Sequence, residues 1–130
     1  MYRLEITADH PSLNAWLAGA SHWKRSKRKQ EEEEALLWHL RSSDISKPLG
    51  TPFTLSVTVF RTRPYDTDNA IISAKYFLDA LRAGGYIPDD SINECPTIIM
   101  HSKKIELVKG KRHDNKIVYL IEPCDSSSSP

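Results

Sequence analysis

Two segments of the chain alternate between apolar and polar residues with the period of a β-strand. They are 2–7, YRLEIT, and 53–60, FTLSVTVF, and this alternation is typical of strands that bury one face. Two later segments, 97–108 and 116–123, also look like strands and flank the sequence KGKRHDN. The pattern therefore predicts four strands, of which the last two form a hairpin.

The first helical segment is 13–43, which follows the turn and capping sequence HPSLN. Ser12 or Asn14 can accept hydrogen bonds from the open amides at its start. Gly19 is expected to divide the segment into a short first helix and a long second one. The apolar contacts of the second helix are expected from Trp23, Ala35, Leu36, Trp38 and Leu40.

The second helical segment is 69–83, NAIISAKYFLDALRA, which carries one apolar stripe. Gly84 and Gly85 follow it, as expected where a helix ends in a left-handed residue. The stripe consists of Ile71, Ala74, Leu78 and Leu81, with Phe77 beside them.

Together these segments predict one α+β domain over residues 1–123, with a mixed β-sheet, two main helices and the order β-α-β-α-β-β. The chain has 130 residues, enough for one domain with its own core and too few for two ordinary domains. The last residues, 124–130, read CDSSSSP and are predicted to be a disordered tail.

The formal net charge is only +1, but charges of opposite sign are segregated along the chain. KRSKRK at 24–29 is followed at once by QEEEE, and a second basic stretch covers 101–116. Acidic residues gather at 31–34 and within 66–90. Cations before anions in one helix oppose the helix dipole, so helix stability does not explain the order. The segregation suits a protein that holds a polyanion and a divalent metal ion together.

The sequence contains no apolar run long enough to span a membrane and no signal-peptide pattern at its N-terminus. Its two cysteines, Cys95 and Cys124, form no spacing motif and are interpreted as reduced thiols. These features predict a cytoplasmic protein that does not interact with a membrane.

Asp66 and Asp68 are one residue apart, after the strand 53–60 and at the start of a helix. One interpretation is helix capping, which stabilises a helix by about 1 kcal/mol for one residue. Asn69 can also cap, so three such residues exceed what one helix end requires. The other interpretation is a site for a hard cation such as Mg²⁺, which prefers carboxylate oxygens and relieves their mutual repulsion.

Asp89 and Asp90, by themselves, have the composition of an ordinary solvated turn. Lys75 comes seven residues after Asp68, close to two helical turns, so the two side chains point to one side of the helix. The alternative for Lys75 is a surface ion pair with Asp79, four residues further on.

Chain length limits how the two acidic ends can meet. A helix of about 15 residues is roughly 22 Å long, and the return from Gly84 to Asp90 spans about 20 Å at full extension. Asp90 can therefore barely return beside Asp66 and Asp68 within one chain. A shared site requires a shorter helix, an extended return or a carboxylate from a second subunit.

The sequences DTDN at 66–69 and LDALRAGGYIPDD at 78–90, with a lysine between them and a strand before them, resemble the RusA-like Holliday junction resolvases. The pattern of that family is Asp-x-Asp-Asn, a nearby lysine, Asp-Ala-Leu, a glycine and a closing Asp-Asp. PSLN and HWKRSKRK are more loosely similar, and the resemblance covers most of residues 11–108. It implies a RusA-like fold.

By this resemblance, Asp66 and Asp68 match the paired metal-binding aspartates, and Asp90 matches the third catalytic and metal-binding carboxylate. Lys75 matches the catalytic lysine, but it lies seven residues after Asp68 rather than four. The three extra residues add nearly one helical turn, which keeps the direction of the side chain and lengthens the distance.

The resemblance implies an Mg²⁺-dependent endonuclease, in which Mn²⁺ can substitute, acting as a homodimer without a nucleotide cofactor. It would nick opposing strands of four-way or branched DNA in recombination and repair. Basic side chains would neutralise DNA phosphates, so that affinity falls steeply with salt. The candidates, for which a solvated face or a structural contact is the alternative, are Lys24, Arg25, Lys27, Arg28, Lys29, Arg61 and Arg63.

Two other functions remain open at this point. One is a phosphotransferase or glycosyltransferase that holds Mg²⁺ with an Asp-x-Asp motif at a strand end, although no glycine-rich phosphate loop is present. The other is a branched-DNA-binding module whose cleavage activity is weakened, which the altered spacing of Lys75 favours.

Overall fold

The computed structural model describes residues 1–18, 22–50, 52–88 and 94–124, apart from the side chains of residues 18 and 22–25. The predictions made for Gly19, for the side chain of Trp23 and for the tail beyond Cys124 lie outside this part of the chain.

The order of strands and main helices is the one that the sequence predicts, and the architecture is an α+β domain around one mixed sheet. The first helical segment is two helices, and a 3₁₀ turn precedes the last helix. The elements are β1 (Tyr2–Thr7), α1 (Leu13–Ala18), α2 (His22–Arg41), β2 (Phe53–Arg61), the 3₁₀ turn (Thr67–Ala70), α3 (Ile71–Ala83), β3 (Thr97–Lys104) and β4 (Lys116–Pro123).

The four strands lie in the order β1-β4-β2-β3. β4 runs antiparallel to both of its neighbours, with Tyr119 opposite Leu4 of β1 and Val57 of β2. β3 runs parallel to β2, so that α3 is the crossover connection between two parallel strands. The carboxyl ends of β2 and β3 therefore lie side by side.

The predicted hairpin of β3 and β4 is wrong, because β2 lies between these two strands. β4 is buried on both faces, at Ile117, Val118 and Tyr119, which suits a central strand. β3 is exposed along most of its length, including Ile98 and Ile99, which suits an edge. The position of a strand in this sheet therefore follows how much of it is buried and not which strand precedes it in the sequence.

The core lies between one face of the sheet and the helices. Alternate residues of β2 are buried, and Leu36 and Leu40 of α2 pack into the same cluster. Trp38 is 64% exposed, so its predicted apolar contact is wrong. α3 buries a wider arc than the predicted stripe because it packs against both α2 and the sheet, and its Phe77 ring stacks on Tyr119 at 4.1 Å.

The helix ends agree with the sequence in part. The Ser12 hydroxyl accepts a hydrogen bond from the Ala15 amide at 3.1 Å, which confirms Ser12 as the cap of α1. After α3, Gly85 is left-handed with φ +78°, whereas Gly84 has φ −80°. At Gly84 a Cβ would lie 2.7 Å from Cδ2 of Leu37 on α2, so a larger residue would require that side chain to shift.

Within the described ranges, no helix has both the length and the apolar character needed to cross a bilayer. Cys95 is buried and Cys124 is partly buried, and both are free thiols. Burial raises the pKa of the Cys95 thiol, which keeps it protonated and poorly nucleophilic.

Candidate functional site

The expected metal-binding aspartates lie on a short turn between β2 and α3, which we call the aspartate turn (residues 66–69). Asp66 precedes the 3₁₀ turn with φ −56° and ψ 148°, and its carbonyl accepts a hydrogen bond from the Asn69 amide at 2.9 Å. Both Asp66 and Asp68 are exposed. The turn thus begins where β2 ends, beside the carboxyl end of β3.

Neither carboxylate has a structural task in the described part of the chain. The side chain of Asp66 makes no capping hydrogen bond at the helix start. Neither Asp66 nor Asp68 forms an ion pair with any described residue. The capping interpretation therefore has no support at Asp66, and the carboxylates face solvent at the strand ends where α/β sheets commonly bind ligands.

The donor chemistry of the aspartate turn fits a hard divalent ion. Mg²⁺ is commonly bound by one or two protein carboxylates together with waters and substrate phosphates. In the ranges that the structure describes, no three His, Cys, Asp or Glu side chains converge as metal ligands. Asp90, the third expected ligand, and its neighbour Asp89 lie outside those ranges.

Lys75 is exposed on α3, and it lines a groove together with Ile98 of the edge strand β3. It does not form the alternative ion pair with Asp79, which instead has Lys29 Nζ at 3.1 Å and accepts a hydrogen bond from Arg82. The position four residues after Asp68 is Ile72, which is buried. Lys75 lines a groove of about 160 Å³ with Ile71, Ala74, Leu78, Asp79, Arg82 and Ile98.

The basic residues expected to bind DNA divide into paired and exposed ones. Arg28 donates to Glu32 at 3.1 Å and to the Asp9 carbonyl at 2.6 Å. Lys29 pairs with Asp79 as described above. Lys27, although exposed, also has an interaction partner, whereas Arg63 is exposed. The side chains of Lys24 and Arg25 lie outside the described part.

Arg61 has a structural role that the sequence offered as the alternative. Its guanidinium pairs with the carboxylate of Asp9, donates to the Tyr65 hydroxyl at 3.1 Å and lies 4.3 Å from the centre of the Tyr65 ring. Lys104 is opposite Arg61 in the strand register and is exposed. Lys103 and Lys104 therefore add positive charge next to the end of β2.

A polar network centred on a buried histidine, which the sequence did not reveal, lies behind the aspartate turn. His10 is 2% exposed and Ser73 is 1% exposed, and Nδ1 of His10 lies 3.0 Å from the Ser73 hydroxyl. Its Nε2 lies 3.1 Å from the Glu32 carboxylate, an ion-pair distance although the N–H is poorly directed for a hydrogen bond. We call His10, Glu32, Arg28, Asp9 and Arg61 the polar network.

Ser73, His10 and Glu32 follow one another as serine, histidine and carboxylate do in a hydrolase triad, but the two ring nitrogens of the histidine are exchanged and burial of the serine excludes that use. A substrate would have to reach a hydroxyl that is 1% exposed. The imidazole of His10, helped by Arg28, holds the pKa of the Glu32 carboxyl below its usual value, although burial opposes this shift. The group is therefore a structural contact that joins α2 and α3 to the loop before α1.

Tyr65 connects the polar network to the aspartate turn. Its hydroxyl donates a hydrogen bond to the His10 carbonyl, and its own carbonyl accepts one from the Ser102 hydroxyl at 2.7 Å. Burial raises the pKa of the Tyr65 hydroxyl, an effect that Arg61 partly opposes, so the group remains a hydrogen-bond donor at neutral pH.

These residues were missed because each appears ordinary in the sequence. Asp9 and His10 precede Pro11 in a turn-like segment, Glu32 is one of four consecutive glutamates, and Ser102 is a small polar residue in a strand. No spacing relates them, since they meet only when the loop, α2 and the sheet come together.

Comparison of the chain with protein-family models, with curated proteins and with solved structures found no match.

Proposed function

We propose that this chain is a divalent-metal-dependent endonuclease that binds four-way or other branched DNA and hydrolyses its phosphodiester bonds as a homodimer. The proposal is supported by the RusA-like motif within residues 66–90. It is supported independently by the position of Asp66 and Asp68 at the carboxyl ends of a parallel strand pair.

The observation that carries the proposal is the pair of exposed carboxylates without a structural partner among the described residues. Two like charges one residue apart repel each other, and a bound cation removes this cost. Asp9, Glu32 and Asp79 each have a basic partner. Basic residues are thus present in the fold, yet the described ones leave Asp66 and Asp68 open to solvent.

In this proposal, Asp66 and Asp68 hold Mg²⁺ or Mn²⁺ through their carboxylate oxygens. When bound, the ion supplies charge stabilisation for the phosphate and a more acidic water. The exposed side chains of Arg63, Lys103 and Lys104 border the aspartate turn and bind the neighbouring DNA phosphates. Their attraction to DNA weakens with rising salt, because the release of counterions from the DNA then contributes less free energy.

The homodimer is part of the proposal because of the positions of Ile87 and Glu94, which precede and follow Asp90 in the chain. Ile87 packs at the end of α3, where its amide donates to the Leu81 carbonyl. Glu94 lies just before β3, at the end of the sheet opposite the aspartate turn, and β3 itself is about 23 Å long. A carboxylate from a second copy therefore completes the site more readily than one from the same chain.

A second candidate is a branched-DNA-binding module with weakened cleavage. The observation that favours it is the buried Ile72 at the position where the family pattern places its lysine. Lys75 would have to act from the groove beside β3, nearly one turn further along α3. A weak or absent chemical step with intact DNA binding is the result that this arrangement would give.

A synthetic four-way junction incubated with the protein in Mg²⁺ tests the proposal. Paired symmetric nicks, absent with chelator and absent on a linear duplex of the same sequence, would support the endonuclease. Tight junction binding without nicks in either Mg²⁺ or Mn²⁺ would support the binding module instead. No affinity for the junction at low salt would refute both and favour the Asp-x-Asp phosphotransferase or glycosyltransferase.

A further inference from the structure

Tyr65, the residue before Asp66, is held through both its side-chain hydroxyl and its backbone carbonyl. Its hydroxyl is bound by the His10 carbonyl and by the guanidinium of Arg61, which also stacks on its ring. Its carbonyl is bound by Ser102 of β3 at 2.7 Å. The chain entering the aspartate turn is thus tied to the loop before α1 and to the edge strand.

The 3₁₀ turn packs against β3, α1 and α3, but the two carboxylates of the aspartate turn have no side-chain partner among the described residues. Its internal backbone hydrogen bond runs from the Asn69 amide to the Asp66 carbonyl at 2.9 Å. The side chains of Asp66 and Asp68 are exposed and form no ion pair with a described residue. The direction of the two carboxylates therefore depends on the backbone of the turn, which is held by its packing and by the residues that flank it.

We propose that Tyr65 is a positioning residue whose hydroxyl sets the conformation of the aspartate turn before any ion or phosphate binds. The hydroxyl ties the turn to His10, which the polar network and Ser73 hold in the core. The consequence for metal binding and cleavage rests on the proposed function. The ordering of the turn does not, because it concerns the metal-free chain.

The hydroxyl, rather than the ring, is the part of Tyr65 that the inference concerns. Phenylalanine at this position keeps the half-buried ring, the stacked Arg61 and the backbone bond from Ser102. It removes the hydrogen bonds with His10 and Arg61, the two contacts that reach the polar network. Tyr65→Phe is therefore a narrow test.

Tyr2 provides a matched control. Its hydroxyl donates to Ser46 at 3.0 Å, and Tyr2 is at the end of β1 that pairs with Ile121, far from the end of the sheet that carries the aspartate turn. Tyr2→Phe removes one hydroxyl hydrogen bond without touching the network. Any effect common to both variants reflects the general loss of a hydroxyl.

Hydrogen exchange at the Asn69 amide in the metal-free protein is the first measurement. We expect Tyr65→Phe to speed this exchange about tenfold, the size of one lost hydrogen bond. Exchange at the Val57 amide in β2 should be unchanged, and Tyr2→Phe should leave Asn69 as in the wild type. Equal Asn69 exchange in Tyr65→Phe and wild type would overturn the inference.

The second measurement is a titration with Mn²⁺, in which calorimetry gives the dissociation constant. We expect the dissociation constant to rise about five- to tenfold in Tyr65→Phe, to rise in Ser102→Ala, and to stay constant in Tyr2→Phe. Equal affinity in Tyr65→Phe and wild type would overturn the inference. If the wild type binds no Mn²⁺, the proposed function fails, and the Asn69 exchange alone then decides the role of Tyr65.

Discussion

Asp9, Glu32 and Asp79 are each bound by a basic side chain. Asp66 and Asp68, which follow the end of β2, have no such partner among the described residues. The first group connects elements that are distant in the sequence. The second group lies on an exposed turn and connects nothing. The same residue type therefore has two uses in this chain, one that maintains the fold and one that we assign to chemistry.

The difference separates carboxylates that hold the fold together from carboxylates that are open to a ligand. A carboxylate that stabilises the fold has a partner, and removing that partner lowers the free energy of unfolding. A carboxylate kept for a ligand is left open and costs free energy until the ligand binds. Variants of the two groups should accordingly change different measurements.

The largest expected effect is on cleavage by Asp66→Asn or Asp68→Asn. Either change should lower junction nicking in Mg²⁺ at least about 100-fold, because it removes a metal ligand. The free energy of unfolding should change by less than about 0.5 kcal/mol, since no structural contact is lost. Junction binding at low salt should persist.

Asp114→Asn is the control for these two variants, because Asp114 is an exposed aspartate paired with Arg112 in the connection before β4. It should cleave at the wild-type rate. Wild-type nicking in Asp66→Asn would show that the aspartate turn is not the catalytic site, and the division of the carboxylates into two uses would be lost.

Glu32→Gln should have the opposite profile and the next largest effect. It leaves His10 in the core without its anion, so we expect the free energy of unfolding to fall by about 2 kcal/mol. Denaturant unfolding measures this loss. Glu34→Gln, an exposed change on the same helix, should stay within about 0.5 kcal/mol of the wild type. Equal stability of the two variants would contradict the structural use of Glu32.

The stabilisation from Glu32 should also depend on pH. The pKa of Glu32 is lowered in the folded chain from 4.5, mainly by His10, so its contribution is fully present above that value. It is lost as the pH falls through the lowered folded pKa, because the proton then binds in both states. The stability difference between wild type and Glu32→Gln should therefore close as the pH is lowered below 4.5. Denaturant midpoints measured in steps down to strongly acidic pH test this, and a gap that widens would refute the pairing.

The smallest expected effect is from Arg63→Ala, which removes an exposed cation beside the aspartate turn. Junction affinity should fall about three- to tenfold, and the slope of log affinity against log salt should shrink by about 0.9, the value for one phosphate contact. Arg3→Ala on β1, an exposed arginine paired with Glu5, should change neither quantity. An unchanged slope in Arg63→Ala would remove Arg63 from the DNA interface.

The regular elements were predictable because their signals are local. The alternation in β1 and β2, the cap at Ser12 and the glycines after α3 each act within a few residues. The neighbour of each strand was not predictable, because a hairpin of β3 and β4 is also locally reasonable. Only the two-sided burial of β4 decides against it.

The candidate site was predictable to a similar extent. The motif suggested Asp66, Asp68 and Lys75 as site residues, a prediction that stays open, and the structure has the two aspartates on one turn. It could not show that Arg61 is held by Asp9 or that Tyr65 connects the turn to His10. Those contacts join segments that are about 50 residues apart, and nothing in a single sequence records which of many polar residues meet.

The position of β4 in the centre of the sheet has a consequence for biosynthesis. Of the four strands described here, β4 is the last to leave the ribosome, yet it supplies the neighbour of β1 and one of the two neighbours of β2. Until it emerges, β1 has no strand to pair with and the nascent sheet lacks its middle. Pairing between such distant parts of a chain is slow and leaves strand edges open meanwhile. We therefore expect this domain to fold only after β4 has emerged, and until then its newly made chains depend on protection from aggregation.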